Sequence, residues 1–287
     1  MRSDTLTVAL IREVFVEAGA LARLVGCLRA ARAGGAALAL LPELPLNAWS
    51  PATRTPRDED AEAPGGPRHQ ALAAAARQAG VAVAGGAIVR DPSTGRRYNT
   101  ALVHDARGEL VATYRKLHLP EEEGFWETSH YEPGDEPPRV IERFAMPLGV
   151  QICSDLNRPQ GSHLLAAQGA EAILAPRATE AATWERWKLV LRANAITAAA
   201  YVLTVSRPAA EGGVPLGGPS AVIDPHGTVV VETLDAIAFA PLDREVVREA
   251  RAAYPGYLRV AADVYARGWR DIASATRPAG ARAGRCP

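Results

Sequence analysis

Three residues with chemically reactive side chains follow short apolar runs of the sequence. Glu43 follows the run 38–41 and Pro42, Lys116 lies near the end of another run, and Cys153 closes the run 148–153. Because the carboxyl ends of strands in α/β sheets open onto the usual binding crevice, we expect these side chains to face one site. A carboxylate, an ammonium group and a thiol can act as general base, oxyanion donor and nucleophile. The three together predict acyl transfer without a metal or cofactor.

Each of these residues also has an ordinary structural interpretation. A lone cysteine in an apolar run is more often an inert core side chain than a nucleophile. Glu43 could cap the turn after Pro42, and Lys116 could be an exposed lysine of an edge strand. Lys116 and Lys188 are the two lysines among 32 basic residues, which weakens the last interpretation because this chain otherwise uses arginine. Taken singly, the three residues leave these alternatives open.

Composition and charge argue against several other classes of protein. The 32 basic residues balance 32 acidic ones, so no net field attracts nucleic acid or an anionic membrane. The cysteines and histidines form no CxxC, HxH or HExxH pair, and the glycine-rich loops of nucleotide sites are absent. The longest uncharged stretch, 193–206, is shorter than the roughly 18 residues of a membrane span, and charges interrupt the N-terminus. We therefore expect a soluble, cytoplasmic protein without metal, cofactor, nucleic-acid partner or membrane contact.

Short apolar strands alternate with amphipathic helices along the chain. The predicted strands are 6–11, 37–41, 81–89, 99–104, 109–117, 140–144, 148–153, 172–175, 201–206, 220–224 and 229–232. The predicted helices are 18–33, 68–79, 160–169 and 182–200. Since no linker divides the pattern, we predict a single α/β domain over residues 1–277, with its sheets covered by helices. The remaining residues, 278–287, are predicted to be a disordered tail.

Four segments resemble motifs of the nitrilase superfamily of carbon–nitrogen hydrolases. They are LLPEL at 40–44, YRKLHLP at 114–120, GVQICSD at 149–155, and the stretch 123–135 with its FWE and PGD. The last of these is similar to the N-carbamoyl amidohydrolase and carbamoylputrescine amidase branch. The resemblance extends over nearly the whole chain. It implies a four-layer α-β-β-α sandwich that assembles as a homodimer or a higher homo-oligomer.

The resemblance also implies a role for each reactive residue. Glu43 corresponds to the general base, Lys116 to the stabiliser of the tetrahedral intermediate, and Cys153 to the nucleophile that forms a thioester. Glu127 matches a second glutamate that positions the lysine and the substrate; a salt-bridged loop carboxylate is the alternative. The implied reaction is hydrolysis of a small linear amide or N-carbamoyl compound, with release of ammonia and with no metal or cofactor.

The sequence departs from the family's pattern after the cysteine. Gln160 stands where glutamate is usual, Arg158 replaces an apolar or aromatic residue, and Arg177 is a further unexpected cation. One hypothesis is that Arg158 or Arg177 binds a substrate carboxylate, which argues against carbamoylputrescine as the substrate. Pairing with Asp155 or with a neighbouring subunit is the alternative. The substrate-binding residues predicted in this way are Trp126, Ser154, Asn157, Arg158 and Arg177.

Other functions are compatible with parts of the same pattern. A nitrilase acting on a C≡N group would use the same three reactive residues, although the context 125–127 favours amides. A non-catalytic binding member of the fold is a second alternative, and the complete set of Glu43, Lys116 and Cys153 argues against it. An unrelated α/β protein with an inert cysteine would require every motif match to be accidental.

Overall fold

The strands of the protein pair into two large sheets and one short ribbon. The computed structural model describes residues 4–275, which form fourteen strands and six α-helices. The strands are β1 Thr5–Ile11, β2 Leu38–Leu40, β3 Ala61–Glu62, β4 Ala82–Arg90, β5 Arg97–His104, β6 Leu110–Arg115, β7 Glu121–Glu122, β8 Phe125–Trp126, β9 Leu148–Val150, β10 Ala172–Arg177, β11 Tyr201–Ser206, β12 Ser220–Ile223, β13 Val229–Thr233 and β14 Ile237–Asp243. The helices are α1 Ala20–Ala33, α2 Pro67–Ala79, α3 Gln160–Ala167, α4 Trp184–Ala198, α5 Arg244–Ala252 and α6 Ala262–Ala275.

Parallel strands at the centre of each sheet bring the reactive residues to one edge. The first sheet has the order β14-β1-β2-β4-β5-β6, with β3 also paired to β4, and the second has the order β13-β12-β11-β10-β9. Strands β1, β2 and β4 run parallel in the first sheet, as do β9, β10 and β11 in the second. Glu43 lies three residues after β2 and Cys153 three residues after β9. Both therefore follow the carboxyl ends of parallel strands, where binding crevices form.

The two large sheets pack face to face. Because successive side chains of a strand point to opposite faces, alternate residues of β1 divide between two cores. Val8 and Leu10 belong to the core between the sheets, together with Leu174 and Leu203 of the second sheet. The intervening residues of β1 belong to the core beneath the helices. Burial on both faces explains why these strands read as almost continuous apolar runs.

Helices cover the outer face of each sheet. Leu28 of α1 and Leu72 of α2 pack on the first sheet, and Leu165 of α3 and Leu191 of α4 pack on the second. The layers therefore run helix, sheet, sheet, helix. The four-layer α-β-β-α sandwich expected from the resemblance is confirmed.

The chain divides into a main unit that ends at Gly256 and a second unit that begins at Tyr257. In the described part of the second unit there is one helix, α6. The prediction of a single domain over residues 1–277 therefore stays a prediction, and the tail predicted over 278–287 lies outside the described residues. Between residues 4 and 275, no helix combines the length and the apolar character needed to cross a membrane.

Candidate active site

The structure brings four of the predicted residues together in one buried cluster. The ammonium Nζ of Lys116 lies 2.8 Å from Glu43 Oε1 and 2.6 and 2.8 Å from the two oxygens of Glu127. Lys116 is completely buried, and Glu43, Glu127 and Cys153 are also buried. One cation thus lies between two carboxylates next to a thiol, in surroundings where electrostatic interactions are strong.

The carboxylate of Glu43 accepts hydrogen bonds from residues in β5, just after β6 and just after β10. Its Oε1 accepts hydrogen bonds from Lys116 and, at 2.7 Å, from Asn99 Nδ2 of β5. Its Oε2 accepts the backbone N–H of Ala178, just after β10, at 2.9 Å. These bonds fix the plane of the carboxylate, which is a requirement for directional proton transfer.

Cys153 lies in a strained turn rather than at the end of a strand. β9 ends at Val150, and Cys153 begins a short 3-10 helix that extends to Asn157. The φ angle of Cys153 is +47°, in the left-handed region that non-glycine residues rarely occupy. Its Sγ donates to the carbonyl oxygen of Ala178 at 3.6 Å. Cys153 and Glu43 are therefore both anchored on the backbone of the same residue.

Asp155 connects the cysteine turn to the lysine segment. Its fully buried carboxylate accepts the backbone N–H of Ile152 at 3.1 Å on one side. On the other side it accepts the hydroxyl of Tyr114 and the backbone N–H groups of Leu117 and His118, all within 3.2 Å. This carboxylate therefore fixes the residues that flank Lys116 relative to those that flank Cys153.

The thiol of Cys153 is held in its protonated form. Burial raises the pKa of Cys153 far above its usual range, and the carboxylates of Glu43 and Glu127 raise it further, while Lys116 lowers it. A thiolate is the reactive form of cysteine. Its formation in this site therefore needs a base that accepts the thiol proton as the reaction begins.

The pKa of Glu127 is raised, so that one of the two buried carboxyl groups retains a proton near neutral pH. Burial raises its pKa to about 8 and the charge of Glu43 acts in the same direction, whereas Lys116 opposes them. Two buried carboxylates facing one cation would carry a net negative charge if both were ionised. Retaining one proton near neutral pH avoids that cost.

The raised pKa of Glu127 predicts how stability depends on pH. Because its pKa of about 8 in the folded protein exceeds the ordinary 4.5, the folded protein binds this proton more tightly than the unfolded chain. The resulting stabilisation is complete below the lower value and is lost as the pH rises through the higher one. We expect the free energy of unfolding, measured with urea, to fall more steeply between about pH 5 and pH 9 in wild type than in Glu127→Gln. Equal slopes for the two proteins would contradict this assignment.

The predicted substrate-binding residues are only partly gathered near the cluster. The hydroxyl of Ser154 donates to the carbonyl of His118, beside the lysine segment. Trp126 is half-buried, with the Arg54 guanidinium 3.7 Å above its ring. Asn157 and Arg158 are exposed on the turn, and their side chains make no hydrogen bond or ion pair within residues 4–275.

Arg177 is a buried cation surrounded by neutral partners. Its Nε donates to Thr204 Oγ1 at 3.1 Å, and its two Nη atoms donate to the hydroxyl of Thr179 and the carbonyl of Pro219. The guanidinium lies 4.9 Å from the ring centroid of Trp184. Burial lowers its pKa to about 10. No carboxylate among the described residues pairs with Arg177, so the pairing with Asp155 considered as an alternative does not occur here.

An apolar cluster borders the reactive residues. It includes Leu44, next to Glu43, and Tyr131, whose backbone N–H donates to the Glu127 carbonyl at 2.9 Å. Its other members are Trp49, Ile88, Ala178, Val214 and Leu216. The hydroxyls of Tyr131 and Ser50 face each other and have no further hydrogen-bond partner in the described part of the chain. These two hydroxyls are therefore buried polar groups beside the apolar cluster.

Several residues of the site were not singled out from the sequence. Asn99 occurs in a segment, 99–101, that agrees with the family, but nothing in the sequence pairs it with Glu43. The contacts of Asp155, Ala178 and Tyr131 depend on backbone positions that only the fold defines. For Arg207, which binds the loop of Glu43, the sequence contains no signal.

Comparison with known proteins agrees with this geometry. The profile described as carbon-nitrogen hydrolase matches residues 6–252. The chain is 32% identical over 209 residues to Hydrolase C26A3.11 of Schizosaccharomyces pombe, covering 69% of this chain and 64% of that protein. It is 30% identical over 252 residues to the human omega-amidase NIT2, covering 83% of this chain and 88% of the human protein.

A solved structure has the same fold. Saccharomyces cerevisiae Nit3, described as a member of branch 10 of the nitrilase superfamily, superposes with a TM-score of 0.75 and 28% identity. The match covers 88% of this chain and 95% of Nit3. With the match of the family profile over most of its length, the chain belongs to the carbon–nitrogen hydrolase family, the nitrilase superfamily.

Proposed function

We propose that this hydrolase cleaves the C–N bond of a small linear amide through a thioester on Cys153 and releases ammonia. The observation that carries the proposal is the position of Lys116 between Glu43 and Glu127, with the protonated thiol of Cys153 beside them. The cluster contains a base, a cation and a nucleophile in one buried volume. These are the groups that acyl transfer requires.

The first half of the proposed reaction forms the thioester. Glu43 accepts the proton of Cys153 as the sulfur attacks the amide carbon, and the carbonyl electron pair moves to oxygen. Lys116 and the backbone N–H of Ser154, at the start of a 3-10 turn where such groups lack an intrahelical partner, stabilise the oxyanion. The C–N bond then breaks as the protonated Glu43 returns its proton to nitrogen, and ammonia leaves.

The second half hydrolyses the thioester. Glu43 accepts a proton from water as the water oxygen attacks the thioester carbon. The C–S bond breaks, the acid product leaves, and the sulfur regains the proton from Glu43. In this scheme Glu127 keeps Lys116 in position throughout, because both of its oxygens contact Nζ.

The proposed substrate carries a terminal carboxamide. Relatives of this chain named omega-amidases support this class. An N-carbamoyl group is the second candidate, supported by the resemblance of 123–135. We further propose that Arg177 attracts the carboxylate of an anionic substrate, since its buried charge has only neutral partners among the described residues. The hydroxyls of Tyr131 and Ser50 offer hydrogen bonds to a polar group of the same substrate.

Ammonia release from a panel of compounds tests the proposed function. The panel contains neutral amides, monoamides of dicarboxylic acids, N-carbamoyl amines, N-carbamoyl amino acids and nitriles. We expect release from amides, faster for those with a carboxylate, and none above background for Cys153→Ala. The matched control is Cys27→Ala, which removes the other described cysteine and should retain full activity.

Two outcomes would contradict the proposal. Faster turnover of nitriles than of amides would assign a nitrilase activity. Absence of ammonia from every compound, with folded protein and an unreactive Cys153, would support a non-catalytic binding role.

A further inference from the structure

Arg207 is a buried arginine in which every side-chain N–H has a partner. It directly follows β11, and its side chain is completely buried. Nε and Nη2 donate to the two carboxylate oxygens of Glu211 at 2.7 and 2.6 Å. Nη1 donates to the carbonyls of Glu43 and Leu44 at 2.9 and 2.8 Å, and Nη2 also donates to the carbonyl of Asn47 at 2.9 Å. Five donors thus bind five oxygens.

Three of these oxygens belong to the loop that carries Glu43. Leu44, the next residue, has a φ angle of +48°, a conformation that costs a non-glycine residue of order 1–3 kcal/mol. Strain of this kind persists only where surrounding contacts enforce it. Arg207 supplies such contacts, because it binds the carbonyls before and after the strained φ and ψ angles of Leu44.

Glu211 makes this arrangement rigid. Its bidentate contact fixes the plane of the guanidinium, and its Oε2 also accepts the backbone N–H of Trp49 at 3.2 Å, farther along the same loop. Arginine is suited to this role because its planar fork directs several donors at once, whereas a lysine ammonium cannot reproduce that geometry. The pair therefore holds the loop at several points from Glu43 to Trp49.

The backbone of Arg207 is also connected to the carboxylate of Glu43, through residues 177 and 178. The backbone N–H of Arg207 donates to the carbonyl of Arg177 at 3.3 Å. The N–H of Ala178, which follows Arg177, donates to Glu43 Oε2. Ala178 also accepts the thiol of Cys153. Arg207 is thus linked to both the main chain and the carboxylate of Glu43.

We infer that Arg207, held by Glu211, is a positioning residue that orients Glu43 toward the thiol of Cys153. The inference rests on the proposed role of Glu43 as the base. Arg207 touches neither substrate nor reacting atoms. It acts on the rate through the backbone conformation of 43–47.

The test measures proton removal from Cys153 without any substrate. Iodoacetamide alkylates a thiolate, so the rate of labelling at Cys153, followed by mass spectrometry, reports how readily the thiol loses its proton. Labelling of Cys27 in the same sample reports whether the fold is intact. We expect Arg207→Lys to slow labelling of Cys153 by about 10²-fold, the usual effect of displacing a reacting group by about 1 Å. Turnover should fall through kcat, with KM little changed.

Two further variants separate positioning from general stability. Arg244→Lys breaks a bidentate pair of the same kind, with both contacts to Glu171 at 2.7 Å, and should leave labelling of Cys153 unchanged. If Arg207→Lys fails to fold, Glu211→Gln retains the arginine, loosens its plane and is expected to give a smaller loss of the same type. Equal labelling rates in wild type and Glu211→Gln would then overturn the inference.

The decisive comparison uses the Glu43→Gln background. If Arg207 acts through Glu43, Arg207→Lys will slow labelling in the wild-type background and have no further effect once the base is absent. Equal, independent effects in the two backgrounds would overturn the inference. Should Glu43→Gln alone leave the labelling rate unchanged, the proposed base fails, whatever the result for Arg207.

Discussion

Lys116→Met is expected to abolish amide hydrolysis and to lower the free energy of unfolding by about 3–5 kcal/mol. Without the ammonium group, the negative charge that remains on Glu43 and Glu127 when they retain one proton would be buried without a cation. Burial alone would lower the pKa of Lys116, but Glu127 and Glu43 raise it well above its ordinary value, so the lysine is charged. Removing one partner of a buried ionic cluster leaves the other charges uncompensated, which is why the loss is large.

A second substitution distinguishes the structural from the chemical contribution of Lys116. Lys116→Met combined with Glu43→Gln removes one positive charge and one carboxylate, and the remaining Glu127 keeps its proton near neutral pH, so we expect urea unfolding to return toward the wild-type value. Activity should not return, because the oxyanion still lacks its donor. A single Lys116→Met variant as stable as wild type would contradict the proposed charge balance. Recovery of kcat in the double variant would contradict the role of the lysine in catalysis.

The apolar pattern predicts the central strands well because both faces of each sheet are buried. The strand predicted over 201–206 coincides with β11, and the helix predicted over 68–79 begins one residue after the start of α2. In both elements the apolar residues recur with the period of the strand or helix because those are the side chains that face the core. An alternation of faces or a helical stripe is visible in the sequence before any partner is known.

The same pattern fails where contacts distant in sequence determine the backbone. Residues 140–144, predicted as a strand, make only the bridge of Ile141 with Leu148. The strand predicted over 148–153 ends at Val150, since the next residues enter the turn that Asp155 holds by the N–H of Ile152. The edge strand β14 was not predicted, because only part of its residues are buried and it contains a proline.

The candidate site also contains residues that the local sequence predicts and residues that only distant contacts determine. Reactive residue types after apolar runs predict that Glu43, Lys116 and Cys153 lie close together, and they do. Their roles stay predictions. The sequence could not indicate which of the 30 arginines supports the site, because burial and partners distinguish them and both depend on the fold. Arg158 is exposed, while Arg207, which had no sequence signal, binds the loop of Glu43.

Glu43→Gln is expected to reduce kcat by about 10²–10⁴-fold, the usual contribution of a general base, with the fold intact. The glutamine oxygen can still accept hydrogen bonds from Asn99 and Lys116. Its amide nitrogen, however, would face the N–H of Ala178, and it cannot accept a proton from Cys153. Glu62→Gln is the matched control, since it removes another buried carboxylate, paired with Arg68 and His69, and should leave kcat unchanged.

The pH dependence of Glu43→Gln makes this prediction more specific. Because burial raises the pKa of Cys153 far above neutrality, the thiolate fraction in the variant should rise about tenfold per pH unit through the alkaline range. The residual rate of the variant should rise in proportion, whereas the wild-type rate should not, because Glu43 accepts the thiol proton during the attack and no free thiolate is needed. Measuring kcat of both proteins from about pH 7 to pH 10 tests this difference. A variant whose rate stays flat with pH would mean that thiol ionisation does not limit it, and another residue would then have to be the base.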